Sequence, residues 1–135
     1  MKEQVDNIRL ILSAIGGYVG YMLGGLDSFL YALLVFITLD YITGVMVAIV
    51  EKNLSSDIGF RGIFRKVLIF VMVALAHIVD SKIIQTGTGI RTAVILFYAS
   101  NEGISILENS AKLGLPIPEK LKILLSEIGK SEKEK

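Results

Sequence analysis

Hydrophobic residues fall into four long blocks that are separated by short polar breaks. The blocks are residues 10–26, 29–50, 67–84 and 90–107. Each block approaches or meets the length of about 20 residues that a helix needs to cross a hydrocarbon core of about 30 Å. The pattern predicts an all-α membrane protein, a helical bundle of about four transmembrane helices.

The polar breaks predict how these helices connect. Asp27 and Ser28 are the only polar residues between the first two blocks, so the first two helices are expected to form an antiparallel hairpin. Residues 51–66 contain glycines and four basic residues, which predicts a basic cytoplasmic loop that is aqueous or interfacial; the basic residues are Lys52, Arg61, Arg65 and Lys66. Phe60, Ile63 and Phe64 are expected to reach the headgroup region beside them, as in a short interfacial helix. Residues 85–89 predict a turn.

The chain becomes polar after the fourth block. Pro118 suits the first position of a helix, and Leu121, Leu124, Leu125 and Ile128 then recur on one face. Residues 108–135 are therefore assigned to a short C-terminal amphipathic helix and a charged tail, 130–135. Residues 1–9 form the N-terminal segment, and residues 10–107 form the membrane domain.

The distribution of basic residues predicts the orientation. If all four blocks span, twelve of the 14 Lys and Arg residues lie on one side of the membrane. The positive-inside rule then places both termini in the cytoplasm of a multi-pass inner-membrane protein. Without a fourth span, the six cations of the C-terminal segment would move outside, which argues for the fourth span.

Composition supports this class and excludes others. The chain is 53% hydrophobic, with a mean hydropathy of +0.64, which is too apolar for the interior of a soluble domain of 135 residues. A net charge of +1 suggests no nucleic-acid partner. The absence of cysteine excludes disulfides and thiol catalysis.

Asp40 is the most informative single residue, because it lies near the middle of the second block. A carboxylate at that depth costs on the order of 2.5–3.5 kcal/mol on insertion scales, so a simple anchor would not carry one. Asp40 and Thr43 share a helix face. Two interpretations stay open: a neutral carboxyl that is hydrogen-bonded locally or to another helix, or a polar strip that lines water in an oligomer.

Other intramembrane polar residues lie in the third and fourth blocks. His77 and Asp80 are three residues apart and are expected to form a local hydrogen bond. A metal site is not predicted, since His77 is the only histidine. Asn101 and Glu102 lie in the fourth block, where Glu102 belongs to a stripe with Arg91, Tyr98, Ser105 and Asn109. Glu102 is expected either to pair with a cation from another helix or subunit, or to belong to an ordinary polar face.

Small residues recur at four-residue spacing in the first two blocks. Gly16, Gly20 and Gly24 form a ladder, and Gly44 and Ala48 form a shorter one. Such ladders allow close helix contacts in lipid. The first ladder is expected either to pack against the second helix or to mediate self-association. Nothing in the sequence arranges a nucleophile, a base and an oxyanion donor, so neither an enzyme nor a cofactor is predicted.

Several separated motifs resemble the toxin-secretion/phage-lysis holin family. They are D-x-x-x-G at Asp40–Gly44, S-x-x-G-F-x-G at Ser56–Gly62 followed by Arg65-Lys66, the run NEGISILEN at 101–109, and LGLPIP at 113–118. The resemblance covers roughly residues 27–128, and the motifs occur in the family's order.

The resemblance implies a small phage-encoded protein that accumulates in the bacterial inner membrane and then collapses into large oligomeric lesions. Cytoplasmic endolysin, or a toxin in some relatives, passes through them without specific binding. The expected partners are further copies of the chain, the lipid bilayer and an antiholin. Two alternatives stay open: a small ion- or proton-conducting channel that uses Asp40, His77 and Glu102, and an antiholin-like membrane scaffold.

Overall fold

The computed structural model describes residues 1–133, and every regular element within them is helical. The five α-helices are α1 (Lys2–Met22), α2 (Ser28–Val50), α3 (Ser56–Ile78), α4 (Gly89–Lys112) and α5 (Glu119–Lys133). A π-helical turn, Val79–Ile84, extends α3. Within residues 1–133, two elements are long and apolar enough to cross a membrane: α2, and α3 together with its π-helical turn. The all-helical class is confirmed, whereas four spans remain a prediction.

The boundaries of α2 follow the sequence pattern, but the start of α3 does not. Asp27 caps α2 by accepting a hydrogen bond from the Leu30 N–H at 2.9 Å. Ser55 caps α3 in the same way, because its side-chain oxygen accepts a hydrogen bond from the Ile58 N–H at 3.2 Å. The predicted loop over 51–66 is therefore wrong for residues 56–66, which form the first three turns of α3.

Glycines explain this error. Gly59 and Gly62 suggest breaks in the sequence, but in the structure both lie against the Tyr41 ring of α2. Both glycines thus belong to a continuous helix, and their small size leaves space between α3 and the Tyr41 side chain. Arg61, Arg65 and Lys66 are consequently helical residues of α3 rather than loop residues.

Helix α4 is the centre of the bundle and packs against α2, α3 and α5. Helices α2 and α4 begin at the same end of the bundle, which we call the Arg91 end. The opposite end, where α2 ends and α3 begins, is called the Ser56 end. The apolar core lies in the half toward the Arg91 end. Its buried members are Leu23, Leu30, Leu33, Ile37, Ile69, Val73 and Ile95.

Helix α1 is set apart from this bundle. It has no buried residue, and its few contacts with the described helices are made with α3. The predicted packing of α1 against α2 as a hairpin is therefore wrong. Gly24 and Gly25 have φ of +90° and +91°, so the chain turns sharply between the two helices. This turn directs α1 away from α2.

Helix α5 folds back along α4 as an antiparallel partner. Leu125 is buried against Gly103, and Ser100 donates a hydrogen bond to the Leu125 carbonyl. Leu121 and Leu124 are exposed, so only part of the predicted apolar face meets the bundle. The helix extends to Lys133, into the stretch assigned to the charged tail; residues 134 and 135 lie outside the described part of the chain.

Candidate functional site

Three helices bring an ammonium group and two carboxylates together in the middle of the bundle. Lys66 of α3 donates to Asp40 of α2 and to Glu102 of α4. Asp40 and Glu102 are only 7% and 8% exposed. Lys66 is therefore the cation that Glu102 requires, and it comes from another helix of the same chain.

An amide completes this arrangement, which we call the Lys66 cluster (Asp40, Thr43, Lys66, Glu102 and Asn109). Asn109 donates to Asp40 Oδ1 at 3.1 Å and to Thr43 Oγ1 at 2.9 Å. The Thr43 hydroxyl itself donates to the carbonyls of Leu39 and Asp40, at 2.8 and 3.1 Å. Asp40 is thus held by groups from two other helices rather than by the hydroxyl of Thr43.

The charged groups of the cluster attract one another strongly, but their burial costs desolvation free energy. Two carboxylates face one ammonium, and all three groups are removed from bulk water. A buried ion pair is strongly weakened when one partner is lost, because the remaining charge has neither water nor a counter-charge. The cluster can therefore hold α2, α3 and α4 in one arrangement, and the same groups gain hydration if the helices separate around water.

A cavity of about 260 Å³ lies beside the cluster, on its Ser56 side. Asp40, Lys66 and Asn109 form its polar wall, and Gly44 and Ala48 line it from α2. The small residues of α2 therefore border an open space between α2 and α3. They do not form a tight helix contact within the described chain: the nearest group to a Cβ placed on Gly44 is the Asn109 amide, at 3.8 Å.

A second polar centre joins α1, α2 and α4 at the Arg91 end. Arg91 is 2% exposed and donates to the Leu23 carbonyl at 2.6 Å, the Gly25 carbonyl at 2.9 Å and Asp27 Oδ2 at 2.7 Å. The Arg91 guanidinium holds the pKa of Asp27 below its usual range. This arginine fastens the turn after α1 to the starts of α2 and α4.

Asp80 serves the same end of the molecule as a helix cap. Its carboxylate accepts hydrogen bonds from the backbone N–H groups of Ile90 and Arg91, at 3.2 and 2.7 Å. The first N–H groups of a helix lack intrahelical partners, so Asp80 satisfies two of them in α4. The predicted His77–Asp80 hydrogen bond is not formed, because the Asp80 carboxylate is engaged by α4.

The remaining predicted residues are dispersed. Gly16 and Gly20 lie on α1 with no neighbouring atom within 4 Å of an added Cβ, whereas Gly24 lies in the turn and not on the helix. A Cβ on Gly24 would come within 2.8 Å of His77 Nδ1, so this glycine makes room for His77 and Arg91. Asn101 is exposed on α4.

The basic residues of 51–66 also separate. Lys52 is exposed in the connection between α2 and α3, and Arg61 pairs with Asp57 at 3.6 Å on the surface of α3. Arg65 is exposed and lines a separate groove between α3 and α4. Of these four residues only Lys66 reaches the interior, which the sequence pattern did not indicate because Lys66 follows Arg65 at the edge of the third hydrophobic block.

The chain matches the model of the bacteriophage holin family over residues 17–130. A protein of Clostridium perfringens, described as an uncharacterized 14.9 kDa protein in the nagH 3′ region, is 44% identical over 129 residues, or 95% of this chain and 97% of that protein. The uncharacterized protein YqxH of Bacillus subtilis is 39% identical over 114 residues, or 84% of this chain and 79% of that protein.

A relative with a functional name comes from a phage. The probable holin of Bacillus phage phi105 is 41% identical over 92 residues, or 67% of each chain. No solved structure shows a significant match to the chain. The two candidate spans and the phage relative agree with a membrane protein. On the match over residues 17–130, the chain belongs to the bacteriophage holin family, a membrane-permeabilising and non-enzymatic family.

Proposed function

We propose that this protein is a holin that oligomerises in the bacterial inner membrane and forms large, non-specific lesions. Endolysin, or a secreted toxin, would leave the cytoplasm through these lesions without being recognised. Family membership and the phage relative support this role. The observation that carries the mechanism is the Lys66 cluster, a set of charged groups buried between three helices where a simple anchor needs none.

The cluster supports a mechanism with two packings of the same helices. In the monomer, Lys66 offsets part of the negative charge of Asp40 and Glu102, and all three groups stay away from lipid. In an assembled ring, the polar faces of α2, α3 and α4 would border water instead. Hydration then replaces the internal ion pairs, so the cost of exposing these groups is small once enough subunits surround a water-filled opening.

Helix α1 supports self-association as the first step. Its apolar residues are exposed along the helix, and Gly16 and Gly20 leave a flat strip with no neighbour among the described residues. The contacts of α1 are made with α3, which argues against the alternative that this ladder packs on α2. We therefore propose that α1 contacts another copy of the protein.

The proposed topology has four spans and both termini in the cytoplasm. Lys66 and Arg91 are bound inside the bundle. With four spans, Lys82 lies at the Arg91 end and most of the other described basic residues lie at the Ser56 end, so the charge bias supports the Ser56 end as the cytoplasmic one. Leu121 and Leu124 stay exposed beside the contact of α5 with α4, which leaves two apolar side chains of α5 available to the acyl chains.

Two competing functions make different demands on the same residues. A cation channel would need a free path past Asp40 and Glu102, but the Lys66 ammonium occupies the position between them. This observation favours the holin over the channel. An antiholin-like scaffold would keep the monomer packing permanently and would do no harm to cells when expressed alone. An antiholin also remains a proposed partner of this protein.

Planar-bilayer recording of the purified protein separates the first two functions. We expect large, irregular conductance steps that pass a folded protein as well as ions. Small, uniform and ion-selective steps would instead identify a channel and would contradict the proposed lesions.

A further inference from the structure

A groove between α3 and α4 is unrelated to the 260 Å³ cavity and lies on another face of α3. It has a volume of about 520 Å³. One wall is a stripe of α3 with the spacing i, i+3, i+4 and i+7, formed by Arg65, Leu68, Ile69 and Met72. The other wall is a matching stripe of α4, formed by Tyr98, Asn101 and Glu102.

Along the groove, both walls change from polar to apolar side chains. Because α3 and α4 are antiparallel, Arg65 and Asn101 lie together toward the Ser56 end. Ile69, Met72 and the ring of Tyr98 lie deeper. From Arg65 to Met72 the α3 wall runs about 10 Å along the helix. The groove thus changes from charged to apolar along the helix axes, from the Ser56 end toward the Arg91 end.

Arg65 is the cation in this part of the bundle without an anion. Arg61 pairs with Asp57, Arg91 pairs with Asp27, and Lys66 binds both interior carboxylates. Among the described side chains, no carboxylate lies within ion-pair distance of Arg65. Glu102 borders the groove, but its carboxylate is engaged by Lys66. A permanently charged guanidinium inside a candidate span therefore faces an apolar groove and needs an external anion.

We propose that this groove binds one anionic phospholipid of the leaflet at the Ser56 end. The phosphate would accept hydrogen bonds from Arg65 and from the Asn101 amide, and an acyl chain would lie along Leu68, Ile69 and Met72. A phosphate suits the planar donor fork of arginine, and the apolar depth of the groove suits a hydrocarbon chain. A carboxylate from a second copy would satisfy Arg65 but would leave the apolar part of the groove unexplained.

The inference rests on the membrane placement within the proposed function and not on lesion formation. It is tested by native mass spectrometry of the detergent-purified full chain with phosphatidylglycerol or phosphatidylcholine added in equal amounts. We expect the protein to retain phosphatidylglycerol about fivefold better, which corresponds to one basic residue at a lipid surface. Arg65→Gln should remove this preference, and Arg65→Lys should keep most of it.

Arg61→Gln is the matched control, since Arg61 lies one turn away on the same helix and is already paired with Asp57. Its preference should equal that of the parent protein. Equal retention of both lipids, an unchanged preference in Arg65→Gln, or an Arg65-dependent dimer that ignores lipid would each overturn the inference. If the protein lyses cells but shows no lipid preference, only the lipid-binding inference is contradicted. If it shows the lipid preference but does not lyse cells, the proposed holin function is contradicted.

Discussion

At the scale of single residues, Lys66 determines whether the interior charges are tolerated. Its ammonium lies between two carboxylates that are almost fully buried, so one positive charge attracts the carboxylates of both neighbouring helices at once. Removal of one partner from a buried ion pair costs about 3–5 kcal/mol, because the partner left behind keeps its desolvation cost.

The first prediction concerns this lysine. Lys66→Met should lower the free energy of unfolding in detergent by about 3–5 kcal/mol, since Asp40 and Glu102 lose their shared cation. Titration with a denaturing detergent, followed by circular dichroism, measures the change. Arg61→Met is the matched control, because it removes an exposed cation from the same helix. If the free energy of unfolding falls by the same small amount in both variants, the Lys66 cluster does not stabilise the bundle.

The second prediction concerns the acid dependence of Asp27. Its pKa is lowered in the folded protein by the hydrogen bond from Arg91, so the stabilisation is present above the pKa of the unfolded chain, about 3.9, and is lost as the pH falls through the folded value. Asp27→Asn should therefore be less stable than the parent protein at pH 7, and the difference should disappear in strong acid. Thermal unfolding from pH 7 to pH 2 measures this difference.

Asp57→Asn provides the control for the acid experiment, because Asp57 is an exposed carboxylate of α3 with one surface partner. Its difference from the parent protein should be small at every pH. A difference for Asp27→Asn that persists unchanged at pH 2 would mean that the carboxylate charge is not what Arg91 binds.

The sequence marked Asp40 and Glu102 as exceptional because carboxylates are costly within apolar blocks. It did not reveal Lys66, since a lysine beside an arginine at the edge of a block looks like part of an interfacial loop. Lys66 reaches these carboxylates because α3 starts at Ser56, eleven residues earlier than the hydrophobic pattern indicates. Asn109 was missed as a partner of Asp40 for a similar reason: α4 continues five residues past the predicted end of its block.

At the scale of helices, the position of α5 is the feature that the sequence pattern predicts least. Its spacing of apolar residues predicts an amphipathic helix, but amphipathicity alone does not say whether the apolar face meets lipid or protein. In the structure the contact with α4 uses Leu125 and Gly129, while the neighbouring leucines stay exposed. Small residues at the contact let the two backbones approach, which no periodicity of apolar residues reveals.

The third prediction tests this contact. A Cβ placed on Gly129 would lie 3.0 Å from Ser100 Cβ, so a small outward shift of α5 brings the pair to the separation of about 3.5–4.5 Å found in disulfides. The double variant Ser100→Cys/Gly129→Cys should therefore cross-link readily in membranes under mild oxidation. The chain has no cysteine of its own, so the mobility shift on a non-reducing gel is unambiguous.

Ser100→Cys/Lys120→Cys is the control pair. Lys120 lies nine residues before Gly129 on α5, about 14 Å along the helix, and should not reach position 100. Equal cross-linking of both pairs would show that α5 moves freely and does not rest on α4.

At the scale of the whole molecule, the proposed topology gives a fourth prediction. Thr86→Cys lies in the connection at the Arg91 end, and Asn53→Cys and Leu115→Cys lie in the two connections at the Ser56 end. In intact cells, a membrane-impermeant maleimide should label only position 86. Positions 53 and 115 should react only after the cells are broken, because both belong to the cytoplasmic side. Labelling of position 115 from outside would contradict the fourth span.

The central claim is that buried charges between α2, α3 and α4 prepare this protein to open the membrane on a large scale. Its most direct test is induced expression with a cytoplasmic endolysin, in the parent protein, in Asp40→Leu and in Thr38→Leu. Thr38 is an exposed polar residue of α2 outside the Lys66 cluster, so Thr38→Leu controls for added hydrophobicity. Turbidity and release of a large cytoplasmic enzyme are followed together.

We predict abrupt lysis after a delay, with release of the intact enzyme, for the parent protein and for Thr38→Leu. Asp40→Leu should insert into the membrane normally but lyse at a clearly altered time or not at all. Normal timing in Asp40→Leu at equal expression, or slow ion loss with the enzyme retained in the parent protein, would contradict the claim.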